Sequence, residues 1–124
     1  MKTEYLRKAS TAILSALLVF AASSVCVAGS LAGSEGDQRF PPYLPQNPKD
    51  PCTRTYKAYV AASGHSAYAT TPYARIRSSY IVCGAHLNAP SVKVAEDLAM
   101  KSCVATRSHY KVTTGGGCEI ALSK

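Results

Sequence analysis

Ala95, Ala99 and Cys103 recur every four residues, and Cys118 follows them beyond the run Gly115-Gly116-Gly117. A four-residue row lies along one face of an α-helix. Val92, Val94 and Leu98 flank the row and widen it into an apolar stripe, whose small members would let a sheet approach closely. Asn88 or Ser91 is the candidate N-cap, Pro90 lies near the first turn, and Glu96 and Asp97 fall in the N-terminal half. Lys101 and Arg107 sit towards the other end, where the helix dipole favours cations. The glycines stop any regular element. After them Cys118, Ile120 and Leu122 alternate with Glu119, Ala121 and Ser123, the period of a half-buried strand. His109 to Thr113 is expected to pair with that strand across the glycines as a hairpin. A Cys103–Cys118 bond would close a loop of about 15 residues, a stabilisation of about 3 kcal/mol in the chain-entropy model.

The five cysteines of the 124-residue chain become four if its start is an export signal. M-K-T-E-Y-L-R-K is a positive n-region, Ala12 to Ala22 is apolar apart from Ser15, and Cys26-Val27-Ala28 offers small residues for cleavage. The segment 1–28 is therefore read as a signal peptide cut after Ala28. A retained anchor is the alternative, for which the apolar run is short. Cys26 follows Val25, and the lipobox-like Leu31-Ala32-Gly33 precedes Ser34, so no lipid anchor is expected. Four remaining cysteines suit an oxidising compartment, periplasmic or secreted, and two disulfides. Of the three pairings, Cys52–Cys83 with Cys103–Cys118 is favoured because the second pair joins helix to strand. Spacing argues against zinc, since no C-x2-C pair or His knuckle is present.

The leader carries three of the 14 basic and one of the seven acidic residues, leaving 96 residues at net charge +5. A chain of that size forms one domain whose core needs staples. The charge suits an anionic envelope component such as lipopolysaccharide, acidic glycan or phospholipid, or simply solubility. Export and the lack of a basic run argue against nucleic acid. No stable membrane span is expected once the signal is removed.

Residues 29–51 read as a Gly/Pro-rich disordered arm or linker. Pro42, Pro45, Pro48 and Pro51 recur every third residue, one edge of a polyproline II helix. That edge would dock on a partner's aromatic groove; otherwise the segment is a stiff spacer, or an arm lying against the chain's own tyrosines. In the domain itself, 52–124, Thr55 to Ala62 alternates as a strand, with Lys57 and Tyr59 on its outer face. Ser63 to Ser66 turns the chain, and Ala67 to Thr70 returns as the second strand of a hairpin. Thr71-Pro72 opens a helix over 72–83, with Tyr73, Ile76, Tyr80 and Cys83 at helical spacing and Gly84 as its stop. A strand from Arg77 to Cys83 is the alternative. Gly84 to Pro90 is then a connection. The expected fold is α+β: a small antiparallel sheet, made of the hairpin plus C-terminal strands, packed on one or two helices and held by two disulfides.

From Ala58 to Leu122 the chain resembles small secreted bacterial domains of uncharacterised function. In them an aromatic strand pair precedes an A-x3-A-x3-C helix and a second Cys starts the final strand. This chain departs from them in lacking tryptophan and in carrying the extra pair Cys52 and Cys83. The resemblance implies fold and compartment and brings no catalytic residues.

No catalytic constellation is found. Gly64-His65-Ser66-Ala67-Tyr68 begins like a nucleophile elbow, but Tyr68 stands where the second glycine is needed. A serine hydrolase also needs a base oriented by a carboxylate. His65, His86 and His109 are isolated, and Glu96-Asp97 point about 100° apart on a helix, which makes no carboxylate dyad. The glycine run lacks the G-K-[ST] of a phosphate loop, and no C-x-x-C marks a redox thiol. No cofactor or metal is expected. What remains is surface chemistry. Seven tyrosines but one phenylalanine follow the leader. Tyrosine suits wet binding surfaces, and it can equally be the main large residue of the core. Arg75, Arg77, Tyr80, Lys57 and Tyr59 form the candidate binding patch. The expected function is non-enzymatic binding of an anionic envelope component or a protein partner. The alternative is a secreted inhibitor or effector that inserts a loop, Gly115 to Gly117, into a target enzyme.

Overall fold

A computed structural model describes residues 29–73 and 80–124. Residues 1–28, expected as a signal peptide, and Arg75, Ile76 and Arg77 of the expected helix over 72–83, lie outside the described residues. Elements follow in the order β1 (Asp37–Gln38), α1 (Pro51–Ala61), β2 (His65–Thr70), β3 (Cys83–Ala89), α2 (Val92–Tyr110) and β4 (Glu119–Ser123). The strands form one antiparallel sheet in the order β1-β4-β2-β3. Because β3 and β4 each run antiparallel to β2, they are parallel to one another, and α2 is the crossover that joins them. The fold is α+β, as expected, and both favoured disulfides, Cys52–Cys83 and Cys103–Cys118, are formed.

Alternation along the central strand divides the core between the two faces of the sheet. Ala67 and Ala69 pack with Ala95, Ala99, Cys103 and Ile120 beneath α2. Tyr68 packs on the other face with Tyr59 of α1 and Leu122, and Phe40 and Leu44 lie against that cluster. With helices on both sides, Ser66 to Thr70 are all buried. The largest fully buried side chains are tyrosines, so tyrosine is indeed the main bulk of this core. The small row on α2 fulfils its purpose. Gly84 lies so close to the helix backbone that a Cβ there would fall 2.8 Å from Cys103 Cα.

The helix α2 starts where the caps indicated, Ser91 Oγ accepting from the Val94 amide at 3.2 Å. It ends later than expected, at a left-handed Lys111 (φ 52°). His109 and Tyr110 therefore belong to the helix and cannot build the hairpin expected over His109–Thr113. The Thr113 carbonyl instead accepts from the Tyr80 amide at 2.9 Å, and β4 pairs with β1 and β2.

The expected strand Thr55–Ala62 is part of α1. Its alternating residues also satisfy a helical period, Cys52, Tyr56, Tyr59 and Val60 forming the sheet-facing row. The start decides between the two. Asp50 Oδ1 accepts from the Cys52 and Thr53 amides at 2.9 and 3.4 Å, and Pro51 supplies a preset φ. The hairpin partner of β2 is accordingly β3, which occupies the segment expected as a connection. The expected helix over 72–83 fails in its described part: Tyr80 to Val82 are not helical and Cys83 opens β3. Cys83, Ala85 and Leu87 pack towards the α1 face, a period-2 pattern hidden by Gly84.

The arm expected to be disordered is docked on the domain. Leu31 and Gly33 amides donate to Ser63 and Val60 carbonyls at 2.9 and 2.7 Å, and Asp37 and Gln38 pair with Ser123 and Leu122. The β4 register slips at Ala121, whose carbonyl accepts from the Arg39 amide at 2.7 Å. Its few apolar residues, Phe40 and Leu44, are enough to seat it on the tyrosine cluster. Among the described residues no helix is long and apolar enough to cross a membrane.

Candidate functional site

A groove of about 560 Å³ runs along the outer edge of β3. Cys83, Gly84 and Ala85 form its floor. The opening turns of α1, at Pro51 and Thr55, make one wall, and Ser102 and Thr106 of α2 make the other. Tyr80 and Tyr110 also line it, and at 63% and 66% exposure they are the most exposed large apolar side chains described. The Cys52–Cys83 disulfide ties the α1 wall to the strand, Cα to Cα 5.8 Å.

The floor carries backbone groups that the sheet does not use. The Thr71 amide donates to the Val82 carbonyl at 3.0 Å, and the same register continues through Ala69–Gly84 and Ala67–His86. In an antiparallel ladder hydrogen-bonded pairs alternate with non-bonded ones. Cys83 and Ala85 are in the non-bonded positions, so their N–H and C=O groups point away from β2. The ladder on the other side of β2 has the matching parity, since Ser66 and Lys124 exchange both bonds at 2.9 and 2.8 Å. Among the described residues nothing hydrogen-bonds the outward groups of Cys83 and Ala85.

The described members of the expected binding patch, Lys57, Tyr59 and Tyr80, do not share one surface. Tyr59 is fully buried, its hydroxyl donating to the Glu35 carbonyl at 2.7 Å, because it faces the sheet from a helix and not outward from a strand. Lys57 is exposed on α1, Tyr80 lies in the groove, and Arg75 and Arg77 fall outside the described residues. Ser66 is buried, and its hydroxyl donates to the Gly64 carbonyl at 2.9 Å. That leaves it no access to substrate. Gly116 lies against Pro72, and its carbonyl accepts from Thr114 Oγ1 at 2.7 Å within the loop. Arg107 Nε of α2 donates to the same Thr114 Oγ1 at 3.1 Å, which ties the loop to the helix. Among the described residues no three metal-ligating side chains converge.

Charge is organised around the arm. Arg39 donates twice to Glu96 at 3.0 Å, and Ser123 Oγ donates to the same carboxylate at 2.9 Å. Glu96 thus binds the arm and β4, a role its place beside Lys93 did not suggest. Lys124 donates from Nζ to the carbonyls of Leu31, Ser34, Val60 and Ala62 at 2.8 to 3.0 Å. Burial pulls the Lys124 pKa down and pushes the Tyr59 and Tyr68 phenols up. The groove's chemistry is backbone amide, hydroxyl and aromatic ring, with the Asp50 carboxylate at its end engaged as the cap of α1.

Compared with protein-family models, with curated proteins and with solved structures, the chain gives no match.

Proposed function

We propose that this is an exported, non-enzymatic binding domain whose ligand is a protein partner, held as an extended segment in the groove at β3. The observation that carries this reading is the pair of outward-facing backbone units at Cys83 and Ala85, set between two helix walls. An extended peptide laid there meets N–H and C=O groups at the spacing of its own, while the tyrosines and threonines beside it read side chains. The two disulfides fit a domain that works in an oxidising compartment, periplasmic or secreted, and Cys52–Cys83 keeps the edge strand from fraying. The anionic-envelope reading rests on net charge, since Tyr59 of its patch is buried and Arg75 and Arg77 lie outside the described residues. The loop-insertion reading is disfavoured because the loop lies against the body, through Arg107 Nε on Thr114 Oγ1 and Gly116 against Pro72.

The test is selection of binders from a displayed library of linear peptides, followed by Ala85→Pro. Proline at 85 removes an outward N–H while leaving every β2–β3 ladder bond in place. Selected peptides should lose at least tenfold in affinity for that variant and should protect the Ala85 amide from hydrogen exchange. Binding that ignores the substitution but weakens steeply with salt would return the function to the basic surface.

A further inference from the structure

Tyr43 comes from the arm and Tyr73 from the segment leaving β2, yet their rings stack, with centroids 4.3 Å apart and planes within 9°. Both remain open to solvent, at 46% and 45% exposure. The other tyrosines described differ. Tyr56 meets Tyr59 and Tyr68, which are fully buried, and Tyr110 meets only the ring of His109. Tyr80 has no described ring partner. Among the described residues, Tyr43 and Tyr73 are thus the one pair of phenols that touch each other and are also accessible to a reagent. Their backbones are held for this. Each follows a proline, Pro42 and Pro72, whose φ is fixed. The arm is anchored just beyond Tyr43 by the bond from Thr53 Oγ1 to the Pro45 carbonyl at 2.9 Å, and Pro72 rests against Gly116.

We propose that Tyr43 and Tyr73 are a site of oxidative modification, coupling to a dityrosine bond that fastens the arm covalently to the domain. The co-reactant is hydrogen peroxide acting through a haem peroxidase or an equivalent one-electron oxidant. Each phenol gives up one electron and its hydroxyl proton to become a phenoxyl radical with spin density on the carbons beside the oxygen. A C–C bond forms between one such carbon of each ring. The hydrogen on each joined carbon then leaves as a proton and each oxygen regains one, restoring two phenols. Two electrons and two protons are lost in all, and one peroxide takes them up as two waters. The stack supplies proximity, turning an encounter between two molecules into a rotation within one. Exposed side chains make such rotations in picoseconds to nanoseconds. The bond would close a third covalent loop, of about 30 residues, across a junction the two disulfides leave open.

The experiment treats the oxidised protein with horseradish-type peroxidase and limiting peroxide, then reads intact mass, dityrosine fluorescence and the cross-linked peptides. The expected product is a monomer lighter by two hydrogens, with Tyr43 joined to Tyr73 as the dominant link. Tyr43→Phe and Tyr73→Phe should each cut the yield at least tenfold, whereas Tyr80→Phe leaves it unchanged. Reduced, denatured protein should lose the selectivity. Cross-linked dimers through Tyr80 or Tyr110, an undiminished yield in Tyr43→Phe, or no coupling where free tyrosine in the same mixture is consumed would each overturn the proposal.

Discussion

Lys124 holds its ammonium 5.1 Å from the centre of the buried Tyr59 ring, so one cation caps an aromatic core and a ring of backbone carbonyls together. Two of those carbonyls, Val60 and Ala62, are at the end of α1, and two, Leu31 and Ser34, belong to the arm. A cation at a helix C-terminus is favoured by the dipole, and no carboxylate is needed to hold it. Replacing Lys124 with Met keeps the stem and removes the donor, leaving four acceptors to find water or lose their bonds. The expected cost is about 2–4 kcal/mol, read as a fall in the urea midpoint. Exchange of the Leu31 and Gly33 amides should accelerate in the same variant, since their hydrogen bonds hold the arm that Lys124 pins.

Gly84 is required by packing. An added methyl would overlap the Cys103 amide nitrogen and stand 2.8 Å from Cys103 Cα, and backbone cannot move aside as a flexible side chain does. Gly84→Ala should destabilise by about 2–3 kcal/mol, whereas Gly117→Ala, with nothing within 4 Å, should be close to neutral by comparison. Paired denaturation curves check both.

The disulfides should differ in weight. Cys103–Cys118 spans 15 residues and Cys52–Cys83 spans 31. Loop-closure entropy gives about 3 kcal/mol for the first and about 3.7 kcal/mol for the second. Double Ser variants of each pair, compared in urea, should fall in that order, and removing both pairs should leave the chain unfolded at room temperature.

Alkaline pH should unfold the protein through its tyrosines. Tyr59 and Tyr68 have folded-state pKa values raised above the ordinary 10.0, chiefly by burial. Their contribution is therefore whole below pH 10.0 and is lost as pH rises above it, because the unfolded chain ionises first. Lys124 works in the opposite sense. Its lowered pKa means that its desolvation cost disappears as pH climbs towards 10.5, but one amine offsets only part of two buried phenols. Circular dichroism and tyrosinate absorbance recorded together should show a cooperative loss of structure accompanying ionisation of the buried pair. Gradual ionisation of all tyrosines with the fold intact would contradict the burial of Tyr59 and Tyr68.

The sequence alone determined the features that depend on neighbouring residues or on loop closure. The cap at Ser91, the Ala95–Ala99–Cys103 row and the Cys103–Cys118 pair were legible because each is written in local spacing, and Cys52–Cys83 followed as the remaining pair. The alternation from Cys118 to Leu122 located β4 but not its faces, since the slip at Ala121 puts Ile120 under α2 and Leu122 on the tyrosine face. Tertiary structure decided the rest. Tyr56, Ala58 and Val60 satisfy a strand period while Cys52, Tyr56, Tyr59 and Val60 satisfy a helical one, and the Asp50 cap with Pro51 behind it, together with the sheet that buries the helical row, selected the helix. Gly84 to Pro90 looked like a connection because its glycine interrupts the apolar pattern that starts at Cys83, and that glycine is there to admit α2. The groove was not legible at all. Its floor is backbone, which no side-chain pattern records, and it exists because β3 was left at the edge of a sheet whose strand order no local signal specifies.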